Sequence, residues 1–259
     1  MKAPGLTYYD IAPRVVAFSS TRHGGVSRGA YGSFNINPYC GDACEAVAAN
    51  REALCRLLGV DDGHLLLPHQ VHLTEIAVVE PDFFSMPLSS RREMFDGIDA
   101  VMSSVPGVCF GVSTADCIPV IIYDPESHAA CVVHAGWRGT VARITGKAVA
   151  AMCRRYGASP QTMRAVIGPG ISGEAFEVGD EVYDEFRNGG FRMDGISFRR
   201  GKWHIDLPEC NRLQLISSGV PADNIQMCGI CTYYNTDDYF SARRLGTASG
   251  RIFTGVMLT

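Results

Sequence analysis

Short apolar runs rich in β-branched residues recur along the chain, and segments with a helical spacing of apolar positions lie between them. Runs of this length and composition are typical of β-strands. The pattern predicts strands at residues 15–18, 76–79, 108–112, 119–123, 130–133, 165–167 and 251–258.

Four segments have their apolar positions on one face of an α-helix. Asp42 and Glu45 resemble a capping box at the start of the first helix, and Gly59 is expected to end it. The other three helices are predicted over residues 140–156, 178–186 and 207–217.

Strands and helices alternate, but the strands predicted between residues 108 and 133 follow one another too closely for helical crossovers. Parallel neighbours need such crossovers, so some of the strands must pair antiparallel. No linker, charge block or repeat divides the chain. We therefore predict an α/β fold, α+β-like in its strand pairing, as a single domain over residues 1–259 with a mixed β-sheet core flanked by helices.

The composition narrows the class of partner. With 23 Lys and Arg against 27 Asp and Glu, the net charge of −4 provides no basic field for nucleic-acid binding. No apolar run approaches the roughly 20 residues of a membrane helix, and no segment resembles a signal peptide. We expect a cytoplasmic protein, a monomer, that acts on small molecules rather than on nucleic acids or membranes. Its ten cysteines are then expected to be free thiols.

Cysteine and histidine residues lie at the ends of predicted strands. Cys117 follows Asp116 between two apolar runs, and His134 ends the next run. His69 and His72 are three positions apart, so in an extended segment they point to opposite faces and only one is expected to join a shared site. Imidazole and thiolate suit zinc or copper, and three protein ligands are the pattern of catalytic sites. One Cys and two His would make up such a three-ligand metal site. The alternative is that this cysteine and these histidines are ordinary packing or surface side chains.

Several polar residues are candidates for binding oxyanions or a polar ligand. Arg22 and Arg138 lie in glycine-rich turns that allow close backbone approach, while Arg243 is as consistent with a surface position as with a site. Asn35 and Asn37 are expected on one face of an extended segment, where they either contact a ligand or border a turn.

Two further motifs are weaker indicators of a binding site. Residues 168–173 fit the dinucleotide pattern G-x-G-x-x-G, but Pro169 has no N–H to offer a phosphate, so we predict a substrate-facing loop there. Cys228 and Cys231 form a C-x-x-C with no second ligand pair at zinc-finger spacing. We predict no structural zinc, and the zinc-deaminase signature is also absent.

Short motifs occur in order along nearly the whole chain: Ser20-Thr21-Arg22 with Gly24-Gly25, Asn35 and Asn37 before Cys40-Gly41-Asp42, Gln70-Val71-His72, Asp96-Gly97 to Asp99-Ala100, Thr114-Ala115-Asp116-Cys117, His134-Ala135-Gly136-Trp137-Arg138-Gly139, Gly168-Pro169, Phe176-Glu177-Val178, Cys231-Thr232-Tyr233 and Phe240-Ser241 with Arg243-Arg244. Together they resemble the YfiH-type laccase-domain family. The resemblance implies that family's single-domain α/β fold and a metal bound by His72, Cys117 and His134.

The resemblance brings two functional descriptions, a copper-dependent polyphenol oxidase and a purine nucleoside phosphorylase with adenosine deaminase activity. This chain has no His-x-His pair, which excludes an ordinary multicopper site but leaves a single copper open. We expect a phosphorylase acting on adenosine, inosine and methylthioadenosine, with deaminase side activity. The alternatives are a polyphenol oxidase and, outside catalysis, a metal- or nucleoside-binding module.

These expectations assign roles to individual residues. Zinc, with copper as the alternative, is expected on His72, Cys117 and His134. The expected catalytic residues are Cys117, Arg138 and Asp116, the last as a general acid/base or as an orienting group. The purine nucleoside and phosphate are expected to contact Arg22, Asn35, Asn37 and Arg243.

Overall fold

A computed structural model describes residues 3–259. The strands are β1 Leu6–Tyr9, β2 Val15–Ser20, β3 Leu65–Leu66, β4 Ile76–Val79, β5 Ala100–Ser103, β6 Cys109–Thr114, β7 Ile118–Asp124, β8 Ala129–Ala135, β9 Arg164–Ile167, β10 Glu177–Val178, β11 Ser197–Arg200, β12 Lys202–Ile205, β13 Ile225–Met227 and β14 Ile252–Leu258. The α-helices are α1 Cys44–Leu58, α2 Leu88–Met94, α3 Trp137–Val141, α4 Ile144–Tyr156, α5 Asp180–Asn188, α6 Leu207–Ser217 and α7 Ala242–Leu245. Within residues 3–259, none of these helices is both long and apolar enough to cross a membrane.

The strands form two large sheets and one small one. The five-stranded sheet has the order β1-β2-β14-β6-β3, and the six-stranded sheet has the order β13-β9-β7-β8-β5-β4. A three-stranded sheet, β10-β12-β11, lies apart from them in the topology. Most neighbours are antiparallel, while β3 with β6, β4 with β5 and β13 with β9 are parallel. The prediction of a mixed α/β domain is confirmed, with its core divided between two sheets.

The two large sheets pack face to face, with helices on their outer faces. Phe110 and Val256 of one sheet pack with Ile121 and Val132 of the other. On the outer face of the five-stranded sheet, Leu54 of α1 joins a second apolar cluster. Residues of α4 and α6 cover the outer face of the six-stranded sheet. Because the central strands are buried on both faces, they read as continuous apolar runs in the sequence.

The first predicted helix is confirmed, but its predicted cap is wrong. The residue before α1 is Ala43, and no side chain caps the helix there. Asp42 instead accepts hydrogen bonds from Ser27 Oγ at 2.6 Å and from Asn35 Nδ2 at 2.9 Å. Gly59 ends the helix as predicted, at a φ of 72°.

The helix predicted over residues 140–156 is divided into α3 and α4. Arg143 lies between them with a φ of 64°, which a continuous helix does not permit. The helix predicted over residues 178–186 begins later, at Asp180, because Val178 pairs with Trp203 in the small sheet. The helix at residues 207–217 has its predicted bounds.

Strand pairing determines where the site forms. The β7–β8 register places Ile118 opposite Ala135. Cys117, just before β7, and His134, near the end of β8, therefore lie at one edge of the six-stranded sheet. Asp99 reaches the same edge from just before β5, and its backbone carbonyl accepts a hydrogen bond from His134 N at 2.8 Å.

Candidate metal centre and the cavity beside it

His72, Cys117 and His134 come together at this edge. Each offers one donor atom, and these three atoms lie within 4.8 Å of one another. The two imidazole rings meet edge to face, with their centroids 4.7 Å apart. His134 is buried, Cys117 is half-buried and His72 is exposed, so the cluster extends from the interior to the surface.

The backbone around the cluster allows this close approach. His72 has a φ of 64°, which turns the chain toward the sheet edge. A Cβ atom on Gly136 would lie 3.1 Å from Cys117 Sγ and 3.0 Å from His72 Cδ2. Because such contacts are tighter than ordinary van der Waals packing, the site favours glycine at this position.

Asp99 holds both histidines in place. Its buried carboxylate accepts hydrogen bonds from His134 Nδ1 at 2.7 Å, His72 N at 3.0 Å and Leu73 N at 2.7 Å. Since Nδ1 of His134 is occupied, Nε2 is the nitrogen left to bind a metal. Asp99 was noted from the sequence only as part of the motif that begins at Asp96, with no role predicted for its carboxylate. The available signal was an aspartate directly before the apolar residues 100–102, where an unpaired carboxylate would be costly.

The electrostatics favour a thiolate in the cluster. Burial alone would raise the pKa of the Cys117 thiol, but His134 and His72 together lower that pKa to about 6. Burial likewise opposes a charged His134, yet Cys117 and Asp99 raise the pKa of its imidazole to about 9. Burial alone would raise the pKa of Asp99, but the hydrogen bond and charge of His134, together with the backbone N–H groups of Leu73 and His72, hold that pKa below its ordinary value. The thiolate is the form of cysteine that binds metals.

The donor chemistry of the cluster fits a metal ion. One thiolate and two imidazoles are ligands for zinc or copper, and a set of three protein ligands is typical of catalytic zinc. Asp99 supplies the carboxylate–histidine contact that accompanies such sites. His72, Cys117 and His134, the three ligands expected from the resemblance, thus form a cluster that could hold a metal.

A cavity of about 660 Å³ opens beside the cluster. This volume lies within the range of small-molecule binding sites, about 300–1,000 Å³. Among the residues singled out from the sequence, Asn37, Asp116 and Arg243 line it together with the three candidate ligands. His69 also lines it, although its Nδ1 is bound to Asp96.

Asp116 has both carboxylate oxygens engaged. Oδ1 accepts from Thr232 Oγ1 at 2.7 Å, and Oδ2 accepts from the backbone N–H of Arg243 at 2.6 Å. A carboxylate in this arrangement fixes the start of α7 against the loop before β7. Of the two roles expected for Asp116, the orienting one matches these contacts better than proton transfer does.

Two arginines line the cavity without a carboxylate partner. Arg243 Nη1 donates to the carbonyl of Glu177 at 3.0 Å, and Arg251 Nη2 donates to the carbonyl of Thr247 at 2.8 Å. Within residues 3–259, no carboxylate oxygen lies within 4.0 Å of either guanidinium. Arg251 was predicted from the sequence only as part of a strand, and its cationic side chain beside the last apolar run was the one signal available.

Three expected site residues do not line the cavity. Arg22 donates to the carbonyls of Gly32 and Thr236, so its guanidinium joins two loops. Asn35 is fully buried and is bonded to Asp42 within a loop, so the expected strand shared with Asn37 does not form. Arg138 is exposed on α3, with its guanidinium over its neighbouring indole ring.

The glycine-rich loop and the C-x-x-C motif lie close together. Ile171, inside residues 168–173, lines the cavity, in keeping with the predicted substrate-facing loop. Cys231 Sγ accepts from Ser172 Oγ at 3.1 Å, while Cys228 Sγ contacts its own turn. In residues 3–259 neither cysteine belongs to a cluster of potential metal ligands.

Comparisons with known proteins identify the family to which the chain belongs. A family model described as multi-copper polyphenol oxidoreductase laccase matches residues 16–259. The crystal structure of the Bacillus licheniformis hypothetical protein YfiH aligns with a TM-score of 0.92 at 28% identity, covering 99% of this chain and 97% of that one. The chain belongs to this laccase-like YfiH family. The resemblance drawn from the motifs is therefore confirmed.

Two curated relatives of this YfiH-family chain carry enzyme names. A purine nucleoside phosphorylase from Bacteroides thetaiotaomicron is 44% identical over 244 residues, which cover 93% of this chain and 90% of that protein. The adenosine deaminase RL5, from an unknown prokaryotic organism, is 41% identical over 245 residues, covering 93% of each. The family description and the relatives' names thus point to different reaction classes.

Proposed function

We propose that this YfiH-family protein is a cytoplasmic purine nucleoside phosphorylase. It acts on adenosine, inosine and methylthioadenosine and has adenosine deaminase as a side activity. The observation that carries the proposal is one cavity of about 660 Å³ lined by two carboxylate-free guanidiniums and by the His-Cys-His cluster. The names of the two relatives support the same substrate class.

The arginines provide the phosphate subsite. Arg243 and Arg251 are held by backbone carbonyls, so their positive charge is not neutralised by an internal acid. A guanidinium oriented in this way suits a phosphate oxyanion. Asp116 binds the backbone of Arg243 and thereby keeps this side of the subsite in place.

Phosphorolysis is then a single displacement at C1′ of the ribose. An oxygen of phosphate forms a bond to C1′ of the ribose, while the bond from C1′ to N9 of the purine breaks. The electron pair of the broken bond goes to the purine, which takes up the proton that the hydrogen phosphate gives up and leaves as the free base. The products are the base and ribose 1-phosphate. Arg243 and Arg251 bind and orient the phosphate for this displacement.

His72, Cys117 and His134 would hold zinc, with copper as the alternative metal. When bound, such an ion would supply Lewis-acid chemistry that helps the purine leave in phosphorolysis, and it would lower the pKa of water for deamination. Asp99 fixes the imidazole of His134, and the lowered pKa of Cys117 keeps its sulfur in the ligand form at neutral pH. Arg138, expected from the sequence to be catalytic, has no part in this scheme because it lies outside the cavity.

The test is phosphate-dependent release of hypoxanthine from inosine, measured beside the metal content. Cys117→Ala is expected to lose bound metal and at least about a hundredfold in activity, since loss of a ligand exceeds loss of its supporting contacts. Cys44→Ala, which removes an exposed thiol, is the matched control and should retain both. Full activity in Cys117→Ala, or release that is independent of phosphate, would overturn the proposal.

A copper-dependent polyphenol oxidase is the second candidate, favoured by the description of the matching family. It predicts oxygen uptake on phenols in proportion to copper loading, with no requirement for phosphate. Elemental analysis of protein purified without added metal, followed by reconstitution with zinc or copper, separates the two candidates.

A further inference from the structure

Two aromatic rings line the cavity and have no part in the scheme above. The rings of Tyr39 and His69 pack against each other, with centroids 4.5 Å apart and planes tilted by 35°. Tyr39 is 53% exposed, and the His69 side chain is 42% exposed. Exposed aromatic surface on a concave wall is typical of a ligand-binding site.

The protein holds His69 in a fixed orientation. Its Nδ1 donates to Asp96 Oδ1 at 2.7 Å, which determines how the ring faces the cavity. The backbone N–H of His69 donates to the carbonyl of Phe95 at 2.9 Å, and its carbonyl accepts from Ile98 N at 3.2 Å. Within residues 3–259, its Nε2 makes no hydrogen bond and is left for a ligand.

Tyr39 is held by its backbone. Its N–H donates to Asn37 Oδ1 at 2.6 Å, and Asn37 Nδ2 in turn donates to Ser113 Oγ, at the end of β6. The loop that carries Tyr39 is therefore fixed to the central sheet. Both rings can thus receive a ligand without a large rearrangement, which lowers the entropic cost of binding.

The chemistry of the two rings matches a flat heterocycle. Aromatic side chains bind nucleobases by stacking, and the contribution depends on the area of overlap. A purine offers a larger ring face than a pyrimidine. The arginines and the His-Cys-His cluster line the same cavity, so a base on these rings shares it with both groups.

We propose that Tyr39 and His69 form the subsite for the purine base, with Asp96 as the positioning residue of His69. The inference rests on the proposed phosphorylase function. It adds that Tyr39 and His69 determine the preference of the enzyme for a purine base. Nε2 of His69 contacts the polar edge of the base, and the ring of Tyr39 stacks on its face.

Kinetics of substituted proteins test the subsite. Tyr39→Leu is expected to raise KM for inosine about tenfold because stacking on the base is lost. His69→Leu is expected to raise it by a similar factor because the polar contact from Nε2 to the base is lost. KM for phosphate should stay within about twofold, since the arginines are unchanged. Asp96→Asn should raise the nucleoside KM severalfold with little change in kcat, and Tyr39→Phe should retain the wild-type KM.

The chain offers matched controls. His64 is likewise bound to an aspartate, Asp61, at 2.8 Å and stacked on an aromatic ring, that of Phe84, yet it lies outside this cavity. Tyr8 on β1 is 57% exposed and is also outside it. His64→Leu and Tyr8→Leu should leave both KM values unchanged.

A binding measurement separates this inference from the proposed function. Fluorescence of 2-aminopurine riboside should be quenched by the wild-type protein and by Tyr39→Phe, and much less by Tyr39→Leu. If the wild type is a phosphorylase but neither quenching nor KM changes in Tyr39→Leu and His69→Leu, the base subsite is wrong. If quenching depends on Tyr39 but no phosphorolysis occurs, the subsite stands and the proposed function is wrong.

Discussion

At the scale of single residues, the site depends on a few side chains whose charge and orientation are determined by their neighbours. Cys117 and His134 were recognisable in the sequence because their motifs are specific. No role was predicted for Asp99 or Arg251, because the contact of Asp99 with His134 and the place of Arg251 in the cavity wall arise only when distant parts of the chain come together. Arg22 shows the converse, since a glycine-rich turn placed its guanidinium against backbone carbonyls rather than in the cavity.

Asp99→Asn tests the support of the histidines. The amide keeps the size of the side chain but loses the charge that binds His134 Nδ1 and the N–H of His72. Affinity for zinc, measured by competition with a chelator, should fall by about 10- to 100-fold. Asp238→Asn alters an exposed contact with His23 and should leave the affinity unchanged. Equal affinities in the two variants would remove Asp99 from the account.

Gly136→Ala tests the close approach at the cluster. Its new Cβ would lie about 3 Å from Cys117 Sγ and from His72 Cδ2, so both candidate ligands must shift from their present positions. We expect a large loss of bound metal in a folded protein, measured by metal stoichiometry and circular dichroism. Gly195→Ala is the control, because a Cβ there meets no atom within 4 Å. Retention of full metal occupancy in Gly136→Ala would contradict the geometry.

At the scale of elements, apolar periodicity predicted most helices and strands but not their ends. The apolar stripe over residues 140–156 continues across the break at Arg143, so no local signal reveals two helices. That left-handed residue is held by distant contacts, a hydrogen bond to the carbonyl of Gly189 and the ring of Phe191. Asp42 failed as a cap for the same reason, because Ser27 and Asn35 compete for its carboxylate.

Gly157→Ala tests the end of α4. Gly157 has a φ of 65°, and a Cβ at this position would meet no atom within 4 Å. The cost is therefore conformational only, and we expect the free energy of unfolding to fall by about 1 kcal/mol. Urea denaturation measures the change, while phosphorolysis should be unaffected. A loss below about 0.3 kcal/mol would show that the backbone relaxes to a conformation without this strain.

At the scale of the molecule, the fold class followed from strands too closely spaced for crossovers and from motifs distributed along the chain. The division of the core into two facing sheets did not, because continuous apolar runs indicate burial without saying which sheet a strand joins. The cavity was also hidden, since its walls come from the loop after Asn37, the segment at His69 and the chain near Arg251. Such long-range proximity is a property of the assembled sheets.

The identity of the sugar product tests the central claim most directly. Zinc-reconstituted protein is incubated with inosine, with and without inorganic phosphate, and the products are followed by phosphorus NMR and chromatography. The account predicts hypoxanthine and ribose 1-phosphate in equal amounts, and no release of base without phosphate. Free ribose as the sugar product, or release of base at the same rate without phosphate, would contradict it.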